Sequence, residues 1–162
     1  MDDLFAPSDV SWTPVSPKLA AVRRVTSAIL CGVTAIAGLL AFGLMLSWLY
    51  AGLWVLVIAA VFAWSWSLIG RNQRSWKYAE REDELLVSHG IMFRQLVVVP
   101  YGRMQFVDVA AGPLERSYGI ATVELHTATP ATDAKIPGLH PDEASRLRDR
   151  LSALGQAQAW GL

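Results

Sequence analysis

The side chains that most often perform chemistry are few in this chain and widely spaced. The three histidines are His89 in a predicted turn, His126 on the polar face of a predicted strand and His140 before a predicted helix. None of them has a second ligand at the spacing of a metal site. The single cysteine, Cys31, lies in an apolar stretch, which excludes an intrachain disulfide and a thiolate metal cluster. Nucleophile elbows, phosphate-binding glycine loops and zinc motifs are missing, so the sequence predicts no catalysis, cofactor or metal.

Three polar residues interrupt apolar segments and are the best candidates for a reactive pocket: Arg103, Gln105 and Asp108. Alternation along a strand places Met104 and Phe106 on one face, and Arg103 and Gln105 on the other. Asp108 lies opposite Arg103 and Gln105, so the three side chains converge only if the strand contains a bulge. We interpret Arg103 and Gln105 as the solvent side of a half-buried strand.

A long uncharged segment determines where in the cell the rest of the chain is held. Residues 25–70 contain no Asp, Glu, Lys or Arg, and a charge at the centre of a membrane helix costs roughly 3 kcal/mol. A single helix over this segment would be about 69 Å long at ~1.5 Å per residue, against a hydrocarbon core of ~30 Å. We therefore predict two transmembrane helices, at about residues 25–46 and 51–69, joined by a tight turn.

Basic residues flank the two predicted spans, whereas the turn between the spans carries no charge. By the positive-inside rule, both termini lie in the cytoplasm of a multi-pass protein of the cell membrane. Residues close to the helices are also predicted to contact anionic lipid headgroups. This predicted set comprises Arg23, Arg24, Arg71, Arg74 and Lys77.

Small residues in the first span favour close approach of another helix. Ala28 with Gly32, and Thr34 with Gly38, have small-xxx-small spacing. The simplest partner is the second helix of the same hairpin, and the alternative is another membrane protein. Two alternatives also stand for Trp64 and Trp66, which either form an interfacial belt or pack between the helices.

The segments on either side of the spans differ in kind. Residues 1–24 contain three prolines and are predicted to be a cytoplasmic tail. Residues 71–162 contain eleven Lys or Arg and eleven Asp or Glu, so their net charge does not attract nucleic acid.

Residues 75–155 are predicted to form a cytoplasmic domain, followed by a tail at 156–162. Period-two patterns and turn residues predict short antiparallel strands at 75–80, 84–88, 95–99, 103–109, 120–127 and 134–136. His89-Gly90 is predicted as a hairpin turn leading into Ile91–Arg94. Pro141 suits the start of a helix, an apolar stripe runs on to Leu154, and Gly155 is placed to end the helix.

The order of several short motifs resembles the membrane-flanked bacterial PH-like domain family. These motifs are P-x-x-R-x-Q-x-V-x-V from Pro100, G-P-L-x-R from Gly112, and the closing segment Leu139-His140-Pro141. The resemblance covers residues 78–154 and extends to the preceding two-helix hairpin. It implies an α+β membrane protein with a PH-like, partly open antiparallel β-barrel capped by a C-terminal helix, and it supplies no catalytic residues.

These observations favour a non-enzymatic docking or assembly module, whose partners are the lipid bilayer and other membrane or envelope proteins, or a second copy. The alternative is a lipid-binding or lipid-sensing domain at the inner membrane face. A phosphoinositide clamp is disfavoured because the turns at Arg81–Glu84 and Ser88–Gly90 offer little positive charge. A membrane enzyme would require a pocket that gathers Arg103, Asp108 and His126.

Overall fold

The computed structural model describes residues 10–45, 47–128 and 133–159. These residues form two compact units. One unit is Ala20–Arg71, and the other combines the described residues up to Leu19 with those from Asn72 onward.

Two long helices contain the uncharged segment. Helix α1 is Lys18–Met45 and helix α2 is Trp48–Ser75, and each has the length and hydropathy of a membrane span. Most of their large apolar side chains are exposed, as expected where lipid is the solvent. Helix α1 begins before the predicted residue 25, and α2 begins before residue 51 and continues past residue 69. The basic flanks 18–24 and 71–75 are therefore helical, while Leu46 lies outside the described residues.

In its described residues, the second unit contains two antiparallel sheets and two further helices, besides the outer ends of α1 and α2. The first sheet has the order β1 (Thr13–Pro14), β2 (Lys77–Glu80), β3 (Glu84–His89) and β4 (Gln95–Pro100). A 3-10 turn at Tyr101–Arg103 leads to the second sheet, which has the order β5 (Met104–Ala110), β6 (Ala121–Thr127) and β7 (Ala134–Leu139). Helix α3 (Pro113–Tyr118) joins β5 to β6, and helix α4 (Pro141–Ala159) follows β7. Since the sheets do not close into one barrel, the prediction of a partly open PH-like architecture agrees with this fold.

The segment before α1 is part of this unit, which corrects the prediction that residues 1–24 form a tail. Thr13 pairs with Tyr78 in antiparallel register, and the adjacent Val15 is 3% exposed. The Gln73 side-chain amide donates a hydrogen bond to the Val15 carbonyl at 3.1 Å. The membrane hairpin therefore interrupts the domain, while residues 1–9 lie outside the described part.

Helix α4 covers the core with the predicted stripe. Ala144, Leu147 and Leu151 are fully buried, and Pro141 is the first helical residue, as predicted. The helix continues through Gly155 to Ala159, so the predictions that Gly155 ends it and that residue 156 begins a tail are wrong. A glycine inside a helix costs only about 1 kcal/mol relative to alanine, which the remaining contacts of α4 offset. Residues 160–162 lie outside the described part.

Several connections differ from the predicted ones. Residues 91–94 are not a strand but part of a wider β3–β4 turn, and Ser75 ends α2 rather than beginning β2. Helix α3 was not predicted, because six residues are too few to show a helical period. Strand β7 continues through Pro137 to Leu139, which is compatible with its place at the edge of the sheet.

Candidate functional site

A groove of about 350 Å³ lies between β5 and the C-terminal half of α4. Its lining combines apolar side chains with amide and hydroxyl groups, which suits a peptide better than a strongly charged ligand. The lining residues are Met104, Gln105, Phe106 and Val107 from β5, and Leu151, Ser152, Gly155 and Gln156 from α4.

A β-bulge at Gln105 shapes the strand side of the groove. Met104 pairs with Thr127 and Phe106 pairs with His126, so no residue of β6 lies opposite Gln105. The extra residue reverses the alternation, and Phe106 becomes 55% exposed. The prediction that Met104 and Phe106 share a face is therefore wrong. Strand β5 itself contains no glycine or other sequence signal that would locate this bulge.

Gly155 keeps the helix side of the groove open. A Cβ at this position would lie 3.5 Å from the Tyr101 carbonyl oxygen and 3.7 Å from Met104 Cε, which are ordinary van der Waals distances. Packing therefore admits alanine at a position where glycine costs the helix about 1 kcal/mol. The missing side chain leaves space in the groove rather than relieving a clash.

The strand beside the groove has a free edge. Strand β5 pairs with β6 alone among the described strands, and the Asp108 carboxylate accepts a hydrogen bond from the Val109 N–H at 2.8 Å. That contact occupies one end of the strand, while the Met104–Val107 end borders the groove. A free edge of this kind can pair with an extended segment.

An aromatic and acidic cluster lies on the outer face of the second sheet. The rings of Phe106 and His126 stack at 4.4 Å between centroids, and His126 Nδ1 lies 3.3 Å from an Asp133 carboxylate oxygen. Asp133 also accepts the Thr127 N–H at 2.8 Å. This backbone hydrogen bond, followed by the interaction with His126, lowers the pKa of Asp133 below its ordinary value.

The residues required for an enzyme pocket are not brought together. Asp108 shares the outer sheet face with His126, through its pairing opposite Glu124, whereas Arg103 lies exposed in the 3-10 turn. Within the described ranges, no group of three His, Cys, Asp or Glu side chains is arranged to hold a metal ion.

The other two histidines occupy separate places. His89 ends β3 and stacks on Trp76 with 4.3 Å between ring centroids, and burial lowers its pKa. His140 precedes α4 with its Nδ1 at 3.4 Å from an Asp142 carboxylate oxygen. His89 and His140 therefore each contact a residue of their own surroundings and not each other.

A polar network fixes α4 against β2. The Tyr78 hydroxyl donates to Glu143 at 2.8 Å, and Arg146 bridges Glu143 at 2.6 Å and Glu80 at 2.8 Å. Burial, and then the hydrogen bond to Glu143, raises the pKa of Tyr78. The Arg146 guanidinium lowers the pKa of Glu143, with a further contribution from Tyr78. The network is structural, because it holds the helix that forms one wall of the groove.

The predicted membrane-surface residues occupy different environments. The Arg24 guanidinium lies 4.5 Å from the ring centroid of Trp66, and Lys77 Nζ lies 4.7 Å from that of Trp12. Arg71 and Arg74 are exposed near the end of α2, and Arg23 is half-buried. Contact of these five residues with lipid stays a prediction.

The predicted helix-packing residues divide into two groups. Gly38 is buried against Trp54, whose indole N–H donates to the Thr34 carbonyl at 3.1 Å. Ala28 and Gly32 line an open apolar groove between α1 and α2, and a Cβ at Gly32 would meet nothing within 4 Å. Trp64 is 73% exposed and Trp66 is 45% exposed, which disfavours packing of Trp64 between the helices. Their place in an interfacial belt stays a prediction.

Comparisons with known proteins agree with this architecture. A family model described as a bacterial PH domain matches residues 18–155. The UPF0699 transmembrane protein YdbS of Bacillus subtilis strain 168 is 41% identical over 85 residues, which are 52% of this chain and 52% of that protein. The match thus spans about half the length of that relative. No solved structure matches the chain.

Proposed function

The chain belongs to the bacterial PH domain family, and on this premise we propose that it is a non-enzymatic docking module for other membrane or envelope proteins. It is a membrane protein in which a two-helix hairpin interrupts a PH-like domain. A domain attached to both ends of a hairpin stays at the bilayer surface and meets membrane-bound partners at high effective concentration.

The observation that carries the proposal is the groove beside the free edge of β5. An extended segment of the partner pairs with the Met104–Val107 end of the strand, and its alternate side chains enter the space left by Gly155. Main-chain hydrogen bonds supply affinity in this mode, and the groove supplies selectivity.

The separation of the polar residues supports docking over catalysis. Arg103 lies in the 3-10 turn, away from the outer sheet face that carries Asp108 and His126. The stacked Phe106 ring next to the groove offers a partly exposed aromatic surface, which is typical of contact sites.

The proposed location is the cytoplasmic face of the cell membrane. Its support is the basic character of the residues that flank the hairpin and the uncharged tip between the helices. The Bacillus relative is itself named as a transmembrane protein.

Site-specific photocrosslinking tests the docking proposal. A photoreactive amino acid at Gln105 or Gln156 should give a discrete adduct in native membranes, whereas one at Ser145, exposed on the same helix α4, should not. Gly155→Trp should remove the adduct, and Ser145→Trp should leave it. Adducts that ignore both the probe position and the Gly155 substitution would overturn the proposal. An adduct at twice the chain mass would identify a second copy as the partner.

The second candidate function, lipid binding, rests on exposed Arg71 and Arg74 near the end of α2. Nanodiscs with and without anionic lipid separate the two functions. If the domain is a docking module, the adduct at the groove forms with the partner in both lipid compositions. If it is a lipid-binding domain, its conformation, or the accessibility of an attached label, changes with the fraction of anionic lipid.

A further inference from the structure

Among the described residues of the domain, the β3–β4 turn, residues 90–94, carries the most exposed pair of large apolar side chains. Met92 is 84% exposed and Phe93 is 86% exposed, well above Val98 and Phe106. Because such side chains at a turn gain nothing from the fold, their exposure points to an external apolar environment.

The turn is constructed to hold this pair at its apex. Gly90 has φ 106°, a conformation that side chains rarely adopt. A Cβ at this position would overlap the carbonyl oxygen of Phe93. The close approach of Gly90 to Phe93 folds the turn tightly, so that Met92 and Phe93 project outward.

The turn is also fixed to the residue at which α2 ends. The Gly90 N–H donates to Ser75 Oγ at 3.1 Å, and Ser75 Oγ donates to the Asn72 carbonyl at 2.7 Å. The apolar part of α2 ends at Ile69. Six residues of helix separate Ile69 from Ser75, which corresponds to about 9 Å at ~1.5 Å per residue.

We propose that the β3–β4 turn inserts Met92 and Phe93 into the interfacial layer of the bilayer that α2 leaves. The headgroup region adds about 5–7.5 Å on each side of the hydrocarbon core, so Ser75 lies close to its outer edge, and insertion requires the apex of the turn to reach back towards the bilayer. Basic Arg71 and Arg74 next to the same helix end match an anionic headgroup layer. The turn forms a third attachment beside the two helices and fixes the orientation of the domain on the membrane.

This attachment is independent of the docking groove, since it involves neither β5 nor α4. Its failure would leave the groove proposal untouched, and the reverse also holds.

Depth-dependent fluorescence quenching tests the insertion on the full chain. The Phe93→Cys variant is made in a Cys31→Ala background and labelled with an environment-sensitive fluorophore. It is placed in nanodiscs of phosphatidylethanolamine and phosphatidylglycerol that contain a spin-labelled lipid. The matched control is Glu82→Cys, exposed in the turn at the other end of β3. Both substitutions replace exposed side chains, and circular dichroism confirms that each variant folds.

The label at residue 93 should be quenched severalfold more strongly by the spin-labelled lipid than the label at residue 82, and less strongly by aqueous iodide. Equal iodide quenching at the two sites would overturn the proposal. Lipid quenching that is equal at the two sites would also overturn it, because the contact would then not be specific to the turn. Protection of residue 93 in native membranes but not in nanodiscs would assign the turn to a protein partner and contradict insertion.

Discussion

Thr13 lies opposite Tyr78 in an antiparallel pair, although both membrane helices come between them in the chain. The pairing joins the segments that precede and follow the hairpin in the chain, with Val15 buried next to it. The N-terminal segment is thus part of the folded domain, and the hairpin is an insertion within it.

Loss of the N-terminal contact should destabilise the domain. Val15→Ala removes two buried methyl groups and leaves a cavity, so we expect the free energy of unfolding in detergent to fall by about 2 kcal/mol. The matched control is Val98→Ala, because Val98 is 38% exposed and its truncation should cost much less. Equal effects of the two substitutions would show that residues 13–15 do not contribute to the domain.

Gly155→Ala should raise stability. Alanine fits at ordinary contact distances from Tyr101 and Met104, and it gains up to about 1 kcal/mol of helix propensity. The expected result is a higher midpoint in thermal unfolding of the detergent-solubilised protein. A destabilised variant would mean that close packing, rather than an open groove, requires glycine at this position.

The two glycines of α1 should respond differently to alanine. Gly38→Ala forces Trp54 away from the helix and weakens its hydrogen bond to the Thr34 carbonyl, so overpacking should cost about 1–3 kcal/mol. Gly32→Ala should be neutral or slightly stabilising, because a Cβ there meets no atom within 4 Å. Titration of mixed micelles with dodecyl sulfate measures both changes. The same loss in both variants would argue against packing of Gly38 on Trp54.

Alkaline pH should destabilise the domain through two buried tyrosines. Burial raises the pKa of Tyr101 from 10.0 to about 12, and burial with the Glu143 hydrogen bond raises that of Tyr78. Because the unfolded chain loses these protons first, their stabilisation is complete below pH 10 and declines as the pH rises from 10 towards 12.

Tyr101→Phe isolates one of these contributions. The variant loses the hydrogen bond to the Arg81 carbonyl, at 2.9 Å, and should be less stable by roughly 1 kcal/mol at neutral pH. Its loss of stability between pH 10 and 12 should be shallower than that of the unaltered protein. Chemical denaturation at each pH gives the slope, and identical slopes would contradict the assignment to Tyr101.

The predictable parts of the fold are those with a local physical cause. A charged side chain at the centre of a membrane helix is costly whatever its neighbours are, and residues 25–70 contain none. The absence of charge over this length was therefore enough to predict the two spans. Leu147 and Leu151 repeat at helical spacing, and this repeat identified α4 and its buried face.

The features that were missed depend on partners distant in sequence. Strand β1 consists of Thr13 and Pro14, and it exists only because β2 presents a free edge to it. The bulge at Gln105 is a property of the register between β5 and β6. This bulge turns Phe106 outward and shapes the groove, so the candidate site was less predictable than the fold around it.

Occupancy of the β5–α4 groove in the membrane is the central claim, and the alkylation of Gln105→Cys measures it most directly. The Cys31→Ala chain is expressed at its native level, and the maleimide rate in native membranes is compared with the rate in purified protein. Ser145→Cys, on the outer side of α4, is the reference. A partner segment paired with β5 predicts slower labelling of residue 105 in native membranes, with no change at residue 145. Equal rates at residue 105 in both preparations would contradict the docking function.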